Sequence, residues 1–67
     1  MERLWRVRKN HTWIDAQLRQ DGDEVAVSFS YDGERVLTRR FANRDAAIAV
    51  ADATRDDLLR AGWTTHW

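Results

Sequence analysis

Residues 12–41 read TWIDAQLRQDGDEVAVSFSYDGERVLTRRF, and this stretch decides the fold. Thr12, Ile14, Ala16 and Leu18 share one parity, with Trp13, Asp15, Gln17 and Arg19 on the other. Val25, Val27 and Phe29 then alternate with Ala26, Ser28 and Ser30. Period-two alternation marks half-buried strands, because successive side chains of an extended chain point to opposite faces. Two Asp-Gly pairs, Asp21-Gly22 and Asp32-Gly33, interrupt the pattern, and Asp-Gly suits a tight hairpin because both residues tolerate positive φ. A type I′ turn at Asp21-Gly22 pairs Leu18 with Val25, Ala16 with Val27 and Ile14 with Phe29, so every face agrees. At the second pair, a two-residue turn would pair Phe29 with Val36 and expel Leu37 and Phe41 from the core. A three-residue loop Tyr31-Asp32-Gly33, with Gly33 left-handed in a bulge, pairs Val27 with Leu37 and keeps the larger apolar groups inside.

Working outward to the N-terminus, Trp5 and Val7 oppose Leu4, Arg6 and Arg8. A turn at Asn10-His11 sets Lys9 against Thr12, Val7 against Ile14 and Trp5 against Ala16. Toward the C-terminus the period changes. Asn43 is a suitable N-cap, Asp45 lies where the helix dipole favours an anion, and Ala47, Val50, Ala51, Thr54, Leu58 and Ala61 recur at helical spacing. Arg60 falls in the last turn, four residues after Asp56, Gly62 is placed for a C′ residue and Trp63 for the hydrophobic contact beyond it. The reading is an α+β domain over residues 1–67. It has a four-stranded antiparallel meander (about 3–9, 12–20, 23–31 and 34–41), one C-terminal helix (about 44–61) on its inner face, and a tail over 62–67. Phe29 and Leu37 are expected to pack beneath the helix against Leu58.

A chain of 67 residues is one small domain, and such domains need staples or efficient packing. Cysteine is absent, which removes disulfides and thiolate sites, so most of the 4 Trp are expected to serve the core instead. Lys+Arg and Asp+Glu are 11 each, which argues against a strongly basic nucleic-acid binder. No apolar run is long enough for a membrane span, and the start carries no apolar signal segment, so a cytoplasmic protein is expected. Four strands make a sheet roughly 19 Å wide, whereas a helix is about 10–12 Å across. The remainder of the inner face needs Trp5, Trp63 and the tail, or a second copy of the chain, and a homodimer is the expected partner.

Nothing supports catalysis. His11 falls in a turn and His66 beside the C-terminus, without base–nucleophile or metal-ligand spacing, and no glycine-rich phosphate loop exists. No catalytic residue, cofactor, metal or small-molecule substrate is assigned. The outer face carries Arg6, Arg8, Trp13, Arg19 and Arg40 among acidic and small residues. A ring surrounded by cations suits stacked bases and phosphates of single-stranded nucleic acid. Against this, Arg6 is set to face Asp15, while Arg19 and Arg40 neighbour Glu24, so these charges can satisfy one another.

The stretches LWRVRK, RRFANRDAAIAVA and the closing GW resemble a group of short bacterial proteins with no established activity. The matching positions are Trp5, Arg6, Arg39, Arg40, Phe41, Arg44, Ala47, Ala51, Gly62 and Trp63, and the resemblance implies a bacterial gene product. WIDAQLR followed by FANRDAAIAVA is similar to plant ethylene-response-type DNA-binding domains, which read DNA with a three-stranded sheet backed by a helix. Here a whole hairpin separates Leu18-Arg19 from Arg40-Phe41. The four-strand-then-helix order is also similar in architecture to the PUR and Whirly single-strand binders. The function expected is a small non-enzymatic binding or interaction module that self-associates, with single-stranded nucleic-acid binding around Trp13 as the alternative.

Overall fold

The alternating strands form the meander that their periodicity predicts. The computed structural model describes residues 1–65. It contains β1 (Glu2–Lys9), β2 (Thr12–Asp21), β3 (Glu24–Tyr31), β4 (Glu34–Phe41), α1 (Arg44–Arg60) and β5 (Thr64–Thr65). The sheet order is β4-β3-β2-β1-β5, all antiparallel, with α1 packed on one face.

The first hairpin keeps the expected register: Lys9 pairs with Thr12, Val7 with Ile14 and Trp5 with Ala16. A bulge between Arg3 and Trp5 inserts Leu4, which packs against the core instead of standing on the outer face beside Arg6 and Arg8. The second hairpin corrects the expected pairing. Its turn residues are Gly22 and Asp23, so Asp21 pairs with Glu24, Leu18 with Val27 and Ala16 with Phe29. Of the two central residues only Gly22 has positive φ (64°), the pattern of a type II′ rather than a type I′ turn. The longer β2 brings Asp21 within 2.8 Å of Arg40, and the Gln20 side chain donates to the Gly22 carbonyl at 2.9 Å.

The third hairpin reaches its expected faces by a different route. Asp32 and Gly33 form a two-residue turn, both with positive φ (52° and 85°), and Tyr31 pairs with Glu34. A bulge then leaves Val36 unpaired, so Phe29 pairs with Leu37 rather than Val27 doing so. The bulge absorbs one residue and thereby restores Leu37 and Phe41 to the inner face. It moves Arg35 to the outer face, opposite Ser30.

The helix begins and ends where its caps dictate. Asn43 Oδ1 accepts the Ala46 N–H at 2.8 Å, and Asp45 sits in the first turn. At the other end Gly62 N–H donates to the Leu59 carbonyl at 3.1 Å and Trp63 N–H to Leu58 at 3.0 Å, with Gly62 at φ 101°. This is the Schellman arrangement, and Trp63 packs back onto the core. Ala61 is the C-cap and is exposed, so it closes the helix instead of extending its buried stripe. Arg60 pairs with Asp57, one turn back, rather than with Asp56. Asn43→Ala is expected to cost about 1 kcal/mol by orphaning the Ala46 N–H; urea unfolding checks it.

Ala47 and Ala51 are fully buried and let the helix lie close on the sheet. The Trp5 indole N–H donates to the Ala51 carbonyl at 3.1 Å, joining sheet to helix inside a core that includes Val7, Leu18, Val27 and Phe29. Coverage stops at β4. Every residue from Glu34 to Arg40 is exposed and Phe41 is half-buried, so Leu37, 51% exposed, does not pack beneath the helix. The opposite margin is closed by the short β5, with Thr65 paired to Val7 and Thr64 to Arg8. Expectations placed on His66 and Trp67 lie outside the described residues. Among those described, no helix is long and apolar enough to cross a membrane.

Candidate binding cleft on the outer sheet face

Arg6 and Arg8 of β1 stand opposite Asp15 and Trp13 of β2. Period two puts all four on the face away from the helix. The Arg6 guanidinium donates to Asp15 at 2.9 Å and lies 5.8 Å from the Trp13 ring centre. Asp15 is only 3% exposed. A buried carboxylate needs such a partner, and the aromatic face adds a cation–π attraction. The match is incomplete, since Arg6 Nε and Asp15 Oδ1 are buried without a hydrogen-bond partner among the described residues.

The backbone holds Trp13 from the third turn: Trp13 N–H donates to Asp32 Oδ1 and Asp32 N–H to the Trp13 carbonyl, both at 2.9 Å. Arg8 Nε donates to the Asn10 carbonyl at 3.1 Å. Between these side chains lies a cleft of about 260 Å³ lined by Arg6, Arg8, His11 and Trp13. Two guanidinium groups here meet one carboxylate.

The five residues singled out by sequence do not form one site. Arg6, Arg8 and Trp13 come together. Arg19 and Arg40 instead flank Ala26 further along the sheet. Arg40 is hydrogen-bonded to Asp21, with Glu24 adding a weaker attraction, because the second turn lies one residue later than expected. That hydrogen bond and the attached charge hold the Asp21 carboxyl below its ordinary range and raise Arg40. The bidentate Arg44–Glu2 pair at 3.0 Å acts likewise on Glu2, tying the helix start to β1.

Sequence reasoning passed over His11 and Asp32. His11 lies in the two-residue turn one ladder pair beyond Arg8–Trp13, which was a usable signal. Asp32 offered none, because its reach to Trp13 depends on how the third hairpin lies against β2. Among the described residues, no group of three His, Asp or Glu could hold a metal ion. These observations define an α+β protein with a cationic, aromatic cleft on the open face of its sheet. Compared with protein-family models, curated proteins and solved structures, the chain matches none of them.

Proposed function

We propose that the chain is a small non-enzymatic interaction module that associates with a second copy of itself through the β4 margin of its inner face. The observation that carries this reading is the apolar surface left there: Leu37, on the inner face of the edge strand, is 51% exposed beyond the edge of the helix. Tyr31, also exposed, shares the inner face with Leu37, because Tyr31–Glu34 and Phe29–Leu37 are successive inner pairs. A two-fold axis beside β4 brings Leu37 and Tyr31 of both copies together, and such isologous dimers are the commonest oligomer. The bulge at Val36 and the arginines along β4 oppose backbone pairing between edges, so side chains make the contact. The resemblance to short bacterial proteins extends this reading to a bacterial setting, and we propose a cytoplasmic location beside it.

Light scattering at micromolar concentration tests it. The expected mass is twice 7.9 kDa, falling to a single chain in Leu37→Asp with the circular dichroism spectrum retained. A wild-type mass that stays at one chain on concentrating the sample defeats the proposal.

A further inference from the structure

The cleft on the outer face is separate from the β4 margin and points to a ligand. We infer that it binds a nucleobase carrying a phosphate, with the base stacked against Trp13 and the phosphate held by Arg8.

Trp13 lines the cleft with its ring half-buried, so an aromatic surface is fixed there and still accessible. Its position is set by the paired backbone bonds to Asp32 and by Arg6 over the ring, and neither requires a ligand. A ring already immobilised loses little freedom on stacking, which favours binding. Arg6 is partly neutralised by Asp15, whereas Arg8 is exposed and has no carboxylate partner among the described residues. Its Nε is anchored on the Asn10 carbonyl, and its two terminal nitrogens make no hydrogen bond within the described residues. That leaves a planar pair of donors matched to a phosphate. His11 adds a further polar group to the lining.

The volume of about 260 Å³ falls just below the 300–1,000 Å³ usual for small-molecule pockets, which suits one base with its phosphate. The chain carries no net charge, so attraction must come from this local arrangement and not from a general basic surface. A free nucleotide and a nucleotide within a single strand present the same chemistry.

The test is a titration of the full chain with a labelled oligothymidylate of about ten nucleotides at low salt. Competition by thymidine monophosphate marks the free nucleotide as a source, and oligomer binding without it marks the single strand. Trp13→Ala is expected to weaken binding roughly 5- to 150-fold, the worth of one stacked base. Arg8→Gln is expected to lower the slope of log affinity against log salt by about one. Arg39→Gln, on the opposite face, is expected to change nothing. Absence of oligonucleotide binding by the wild type overturns the inference. So does polyglutamate binding as tightly as the oligonucleotide, or an Arg8→Gln variant with unchanged affinity and salt slope. The Arg8 variant decides the matter even if Trp13→Ala fails to fold.

Discussion

Trp5→Ala is expected to leave the chain largely unfolded at physiological temperature. Trp5 is 1% exposed and is the largest fully buried side chain. Removing such a ring costs about 3–5 kcal/mol through lost burial and the cavity it leaves. The substitution also deletes the indole N–H that reaches the Ala51 carbonyl, worth about 1 kcal/mol more. A chain of 67 residues has roughly 3–10 kcal/mol of total stability at typical per-residue values. The expected loss therefore rivals the whole. Trp5→Phe keeps most of the apolar volume and should fall between the two. Thermal unfolding followed by circular dichroism checks the series, and a midpoint for Trp5→Ala within a few degrees of wild type would contradict the core described above.

Phe29→Ala is expected to cost about 3–5 kcal/mol as well, whereas Leu37→Ala, its cross-strand neighbour, should cost under about 1 kcal/mol in a single chain. The difference is one of coverage. Phe29 sits in the core with its ring centre 6.1 Å from that of Trp5 and is 7% exposed, while Leu37 lies beyond the helix at 51%. For a domain of this size each kcal/mol corresponds to about 4–8 °C in midpoint, so the pair should separate by roughly 10–30 °C. Comparable losses at both positions in dilute sample would show that β4 is covered after all.

The faces of this protein are legible in its sequence, and the pairings only in part. Alternation states which side of the sheet a residue occupies, and it does so for Trp5, Ile14, Leu18, Val27 and Phe29. A slip of two residues leaves every one of those sides unchanged, so alternation cannot tell Leu18–Val25 from the Leu18–Val27 that forms. The Asp-Gly signal placed both turns within one residue. The dipeptide alone does not say whether the glycine comes first or second; with Gly22 first, Asp21 stays in β2, where it meets Arg40. The bulge at Val36 has no residue signature of its own; only the need to keep Leu37 and Phe41 inward betrays that some irregularity is required. The helix was clearer because Asn43 and Gly62 mark its two ends. Of the cleft, Arg6, Arg8 and Trp13 were visible as neighbours because they belong to the one hairpin that keeps its expected register throughout the turn-proximal pairs. The clamp from Asp32 was not, since it joins elements 19 residues apart.

The short strand β5 has a consequence in time as well as in space. The three hairpins each close a loop of two residues, an event of microseconds, and can assemble independently of one another. The contact between Thr64 and Arg8 spans 56 positions. On logarithmic loop scaling such a closure costs roughly 3 kcal/mol more in chain entropy than a hairpin. Two residues of ladder give little to offset that, so this contact is expected to form last and to release first. Amide hydrogens of Thr64 and Thr65 should then exchange far faster than those of Val7 or Val27, which stay paired within the meander. In a single chain one margin of the sheet is thus open at β4, and the other is expected to open by fluctuation, exposing the β1 backbone beside Arg8 for brief intervals while the rest of the molecule remains folded.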